Sequence, residues 1–181
     1  MSDSIPREDL VLLMDVLAFA AEKHRHQRRK DVEASPYINH PIALASILCN
    51  EGGITDPEVI CGALLHDTVE DTDTTPEELE GRFGPTIRDI VMDVTDDKSL
   101  SKPERKQKQI EHAAHISPKA KLAKLADKIA NLRDIASSPP DGWDEERKRE
   151  YFDWAKAVVD QVRDRHEGLA KVFDKAYADR P

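Results

Sequence analysis

The sequence predicts an all-α, single-domain helical bundle, and three observations carry that expectation. Apolar residues recur at spacings of three and four through most of the chain, the period of an amphipathic helix. No strand-like alternation of useful length occurs. The Pro, Gly and Ser clusters between the periodic segments are too short to serve as interdomain linkers. At 181 residues the chain is long enough for one well-filled core. Residues 1–181 are therefore expected to form one domain, with a metal-site core over about 7–135 and closing helices over about 144–178.

Ser4-Ile5-Pro6 carries helix-start chemistry, and the first helix is expected from about Arg7 to His26. Leu10, Leu13, Met14, Leu17, Ala18 and Ala21 form its apolar face. Arg25 to Asp31 then reads as a basic helix end, with positive charge at the negative pole of the dipole, before a polar loop from Asp31 to Pro36. Pro41 suits the first turn of a second helix, capped by Asn39 or His40 and ended by Gly52-Gly53. Thr55-Asp56-Pro57 starts a third helix, from Pro57 to about Thr68, which is apolar around much of its circumference and should be the central buried one.

Thr75-Pro76 restarts a short helix, Phe83-Gly84-Pro85 breaks it, and Ile87, Ile90, Val91 and Val94 mark another that ends in the acidic turn Asp93 to Asp97. Lys98, Lys102, Arg105, Lys106 and Lys108 make a second basic cluster on a segment opened by Ser101-Lys102-Pro103-Glu104. Ser117-Pro118 opens a helix from Lys119 to about Ile135, with Leu122, Leu125, Ala126, Ile129 and Leu132 as its stripe. Asp127 lies beside that stripe and Asn131 one turn beyond it. The loop Ser137 to Gly142 leads into two closing helices, Asp144 to about Val162 and Arg163 to about Tyr177, packed through aromatic and branched residues.

Composition narrows the function classes. A net charge of −9 argues against general nucleic-acid affinity, although a small phosphorylated ligand remains compatible with the basic clusters. No apolar run approaches the roughly 20 residues that cross a bilayer, so no membrane partner is expected. The amino terminus lacks the basic and apolar regions of a signal peptide. Cys49 and Cys61 match no zinc or redox spacing and read as reduced core thiols, which fits a cytoplasmic location. Oligomeric state is not legible.

The stretch Leu64-Leu65-His66-Asp67-Thr68-Val69-Glu70-Asp71 concentrates the chemistry. On one continuous helix, His66 and Glu70 stack a turn apart, as do Asp67 and Asp71, and all four crowd one side. Burying an imidazole and three carboxylates without partners costs several kcal/mol, so a divalent cation is the natural compensation. His40, His66, Asp67 and Asp127 make a coherent donor set for Mn, Fe, Zn or Co. Spacing alone leaves open whether His40 and Asp127 reach His66.

In order, His40, His66-Asp67 and Asp127 resemble the H...HD...D pattern of the HD metal-dependent phosphohydrolase superfamily. Arg28-Arg29-Lys30-Asp31, Tyr37-Ile38-Asn39-His40-Pro41, the run from His66 to Thr72 and the run from Lys124 to Arg133 resemble the alarmone hydrolase domain of the RelA/SpoT group. The chain ends where that domain does, like the small stand-alone hydrolases of the metazoan type. The resemblance implies manganese-dependent removal of the 3′-pyrophosphate of (p)ppGpp. It further implies His40, His66, Asp67 and Asp127 as metal ligands and Glu70 with Asp71 as the catalytic acidic pair. Arg29, Lys30, Tyr37, Asn131, Arg147 and Tyr151 match positions that contact nucleotide or phosphate. The same site acting on (p)ppApp, or as an NADPH 2′-phosphatase, is the competing enzymatic reading. A non-catalytic nucleotide sensor is the other, although none of the six metal and acidic positions is lost.

Overall fold

A capping side chain followed by a proline sets where four of the ten α-helices among the described residues begin. The computed structural model describes residues 5–181. Helix α1 spans Arg7–Lys23, with Pro6 at its N-cap position and no side-chain cap, while Ser4 lies outside the described residues. Asp56 caps α3 (Pro57–Leu65) by accepting from the Glu58 amide, and Thr75 caps α5 (Pro76–Phe83) in the same way through Glu78. Ser101 and Glu104 form a reciprocal capping box on α7 (Lys102–Ala113). Ser117 caps α8 (Pro118–Ser137), and Asp144 caps α9 (Glu145–Val159). In each case except α9 a proline occupies the first or second helical position, where its missing N–H costs nothing.

The remaining elements are α2 (Asn39–Ser46), which continues into a π turn at Ile47–Glu51, then α4 (Thr68–Asp71), α6 (Pro85–Val94) and α10 (Glu167–Tyr177). The fold is all-α, as expected, and two large core clusters fill most of it, with a small third one at Ile90, Val94 and Ala120. One gathers α8, α9 and α10 with α2 around Leu125, Ile129, Leu132, Phe152 and Phe173. The other gathers α1, α3, α5 and α6 around Phe19, Leu64, Leu65, Leu79 and Ile87. Helix α3 is the central one, with every residue from Val59 to Leu65 buried. Gly62 belongs there because a Cβ at that position would overlap the Ile90 side chain of α6.

Several local expectations are corrected. Helix α1 buries Val16, Phe19 and Ala20, whereas Leu10, Met14 and Ala18 of the expected face are exposed. The helix is apolar on most of its circumference, and the Phe19 ring, packed edge-on against Phe83 at 5.4 Å, selects the side that turns inward. It also ends at Lys23, before the basic cluster. Residues 24–37 instead fold back through Arg29 N–H to Ser35 O and Tyr37 N–H to Gln27 O, so Arg28 to Lys30 lie on a bridged loop rather than a helix end. His40 is inside α2 and caps nothing, because Ile38 holds the N-cap position. Cys49 sits on the π turn and is exposed, while Cys61 is buried as expected. The two closing helices are separated by a 3₁₀ turn at Arg163–Arg165, and α10 starts only after His166 accepts from the Leu169 amide.

Candidate metal centre and substrate cleft

The helix expected to run to Thr68 stops at Leu65, and its side chains stop it. His66 Nδ1 donates to the Ala63 carbonyl at 2.8 Å, and the Thr68 hydroxyl donates to the Leu65 carbonyl at 2.7 Å. These bonds satisfy carbonyls at the end of α3. The chain turns at His66-Asp67 and restarts as α4, so His66, Asp67, Glu70 and Asp71 do not share one continuous helix face.

This break aims His66 Nε2 at carboxylates from two directions. Nε2 lies 2.9 Å from Asp67 Oδ2 and 3.9 Å from Asp127 Oδ1. His40, brought in by α2, places Nε2 3.2 Å from the same Asp127 oxygen. Candidate donor atoms of His40, His66 and Asp67 all lie within 4.8 Å of one another. Asp127 falls outside that three-residue donor group and joins it through its contacts to the two histidines, so all four residues expected to hold a metal are brought together across 87 positions of sequence.

Their chemistry fits a divalent ion. With Nδ1–H committed to Ala63, His66 can face two carboxylates only with a proton or a metal on Nε2. Burial opposes the charged ring, but Asp67 and Asp127 outweigh it and raise the His66 pKa to about 9. Asp67 and Asp127 are both held below the ordinary carboxylate range despite burial, Asp67 by His66 and Asp127 first by Lys128. Ligand bonds of about 2.0–2.2 Å require donor separations of about 3–4.3 Å, close to those observed. His40 Nδ1 is buried without a partner, 4.0 Å from Asp134, leaving its second nitrogen near a carboxylate of the kind that orients ligating imidazoles.

The other expected site residues fall around two adjoining cavities of about 190 and 510 Å³. Glu70 lines the inner one with the four convergent residues and accepts from the Asp96 amide at 2.9 Å. Burial pushes its carboxyl up to about 7. Asp71 lines the outer cavity, accepting from Lys98 at 2.6 Å and from the Gln27 amide at 3.0 Å. Arg29, Tyr37, Asn131 and Tyr151 line both cavities, and Lys30 the outer one. The Tyr37 hydroxyl donates to Asp67, and Asn131 donates to Asp127 at 2.7 Å. Burial raises both phenols, Tyr151 to about 12. Arg147 is not among the lining residues; it is exposed, with its guanidinium 4.5 Å from the Trp143 ring centroid, and that tryptophan lines the outer cavity.

Sequence reasoning missed two lysines. Lys128 is buried, pairs with Asp127 Oδ2 at 3.0 Å and stands 4.2 Å from the Trp154 ring centroid. Burial opposes its charge, but Asp127 outweighs it and raises its pKa. Lys124, one turn earlier, is also buried and lines the inner cavity, where burial lowers its pKa. Their four-residue spacing beside the inward stripe of α8 was the available signal.

A helical bundle in which two histidines and an aspartate form one candidate donor group, with a second aspartate against both histidines, defines a class. The chain belongs to the HD domain family, which matches residues 16–154. Within it, the chain is similar to guanosine-3′,5′-bis(diphosphate) 3′-pyrophosphohydrolase MESH1 of Xenopus tropicalis, 55% identical over 172 residues, 95% of this chain and 96% of that protein. The Homo sapiens protein of the same name is 54% identical over 168 residues, 93% of this chain and 94% of that one. A solved metazoan orthologue of SpoT that hydrolyzes ppGpp superposes with a TM-score of 0.91 at 49% identity, covering 98% of each chain. Among the described residues, no helix is long and apolar enough to cross a membrane.

Proposed function

We propose that this protein is a (p)ppGpp 3′-pyrophosphohydrolase: it removes pyrophosphate from the ribose 3′ position and leaves GDP or GTP. The observation that carries this reading is the convergence of His40, His66, Asp67 and Asp127 beside Glu70, at the floor of a cleft whose outer wall holds Arg28, Arg29 and Lys30. The near-complete match to proteins named for this reaction supports it.

Manganese is the ion we assign to the four donors. When bound, it supplies a nucleophile at neutral pH and neutralises phosphoryl charge. Asp71, with both oxygens already accepting hydrogen bonds, is presented as an acceptor that holds the attacking water in line. Glu70, whose carboxyl is pushed up to about 7 by burial, takes the proton of that water and returns it to the departing ribose oxygen. Arg29 and Lys30 receive the phosphate charge in the outer cavity. Arg29 is held there by Asp134 at 2.5 Å, and its guanidinium lies 5.8 Å from the Tyr37 ring centroid. Asn131 and Tyr37 act through Asp127 and Asp67 while bordering the nucleotide, Tyr151 lies along the wall marked by Trp143, and Arg147 stands behind that wall against the Trp143 ring. A reducing, cytoplasmic setting suits the two free cysteines.

The test is a product analysis on ppGpp, ppApp and NADPH side by side with manganese present. Release of GDP and pyrophosphate from ppGpp, at a higher kcat/KM than either alternative is consumed, is the expected result. A protein that turns over only ppApp or NADPH has the site but another substrate. One that turns over none is not the proposed hydrolase.

A further inference from the structure

The turn after α1 carries two side chains that the proposed chemistry leaves without a role. His24 is only 2% exposed and lies against the Tyr37 ring, with centroids 4.8 Å apart. Its Nδ1 is 2.6 Å from Gln27 Oε1, and its Nε2 is buried without a partner. The Gln27 amide nitrogen, in turn, donates to Asp71 Oδ2 at 3.0 Å.

A glutamine amide has a donor end and an acceptor end, and which one meets a carboxylate decides whether the contact attracts or repels. His24 settles the choice here. Burial keeps its pKa below the ordinary value, so the ring is neutral and carries a single N–H. The one ring nitrogen with an acceptor is Nδ1, and it faces Gln27 Oε1. A ring N–H donated to that oxygen turns it away from Asp71 and leaves the NH2 group for the carboxylate. The other restraint on Asp71 is weaker in kind, because Lys98 is a long side chain that is 50% exposed. A polyphosphorylated ligand competes for an exposed ammonium, whereas a neutral amide stays where it is.

We infer that Gln27 and His24 are positioning residues for the hydrolytic step, Gln27 holding the Asp71 carboxylate and His24 fixing the orientation of the Gln27 amide. The inference deepens the role given to Asp71 above and rests on it. Misplacing a group that orients a reacting water by about 1 Å costs on the order of a hundredfold in rate, so the effect belongs in kcat.

Gln27→Met keeps the length and removes the donor, His24→Leu removes the ring N–H, and His24→Asn restores a donor near the Nδ1 position. Each is measured with ppGpp for kcat and KM, by calorimetry for manganese affinity and by thermal unfolding. Gln27→Met and His24→Leu are expected to lower kcat about tenfold to a hundredfold, with KM and manganese affinity within about twofold of the wild type. His24→Asn should recover most of the lost kcat. In an Asp71→Asn background, Gln27→Met should change the residual turnover by less than about twofold. His24 also backs the Tyr37 ring, so if His24→Leu folds poorly the decision falls to Gln27→Met. Wild-type kcat in Gln27→Met, alongside a disabled Asp71→Asn, overturns the inference and leaves the role of Asp71 standing. Wild-type turnover in Asp71→Asn instead removes that role, and the inference with it.

Discussion

Replacing Glu70 by glutamine isolates what it costs to keep an ionised carboxylate at the floor of the cleft. Glutamine retains the length and an oxygen for the Asp96 amide, so the packing stays and only the charge changes. Burial moves the Glu70 carboxyl from 4.5 to about 7, which means the folded protein holds a proton there that the unfolded chain has already released. That contribution to stability is fully present below about pH 4.5 and is lost as pH rises through about 7. At about 1.4 kcal/mol per pH unit, the full displacement corresponds to about 3 kcal/mol. Discounting for the partial exposure of the side chain leaves about 2 kcal/mol. Metal-free Glu70→Gln is therefore expected to match the wild type near pH 4.5 and to exceed its stability by about 2 kcal/mol at pH 8. For a chain of this size that is about 4–8 °C in Tm. Urea and thermal unfolding at a series of pH values read the gap directly, and turnover of ppGpp should fall by at least about a hundredfold in the same variant. A stability difference that is flat across pH would refute the reasoning, because it would mean that Glu70 ionises in the folded protein as it does in water.

Three further outcomes follow from the same structure. Lys128→Ala removes the ammonium from Asp127 Oδ2 and leaves the two histidines and Asn131 on the other oxygen, so it should cost about 1.5–3 kcal/mol in urea unfolding of the metal-free protein, part of which manganese restores. Gly62→Ala should lower stability by about 1–3 kcal/mol, because α3 and α6 must separate to admit the methyl group next to Ile90. Arg29→Ala removes a phosphate-facing charge from the outer cavity and should raise the KM for ppGpp about tenfold or more in steady-state kinetics while leaving manganese affinity unchanged.

Helix starts were the most legible feature of the chain, because Asp56-Pro57, Thr75-Pro76 and Ser117-Pro118 act through local chemistry alone. The inward face of α1 was not legible. A helix with apolar residues on nearly every side has no preferred stripe, and the Phe19–Phe83 contact that fixes its rotation depends on α5, far along the chain. The helix break at His66 was hidden for a similar reason, since it depends on side chains of His66 and Thr68 capturing carbonyls that a continuing helix would use. The identities of the four convergent residues could be read from the order of the motifs, but their meeting point is made by the packing of α2, α3 and α8. Lys124 and Lys128 escaped notice because lysine is ordinarily a surface residue. At Lys128 the negative charge of Asp127 and Asp96, with the Trp154 ring, offsets burial, whereas at Lys124 burial prevails.

A manganese titration of chelator-treated protein, followed by ppGpp turnover at each step, tests the central claim most directly. Activity should rise linearly to one ion per chain and then level off, and neither His40→Ala nor Asp127→Ala should recover it at the same metal concentration. Full turnover by the chelated wild type, or wild-type manganese affinity in Asp127→Ala, would contradict the assignment of the catalytic ion to these four residues.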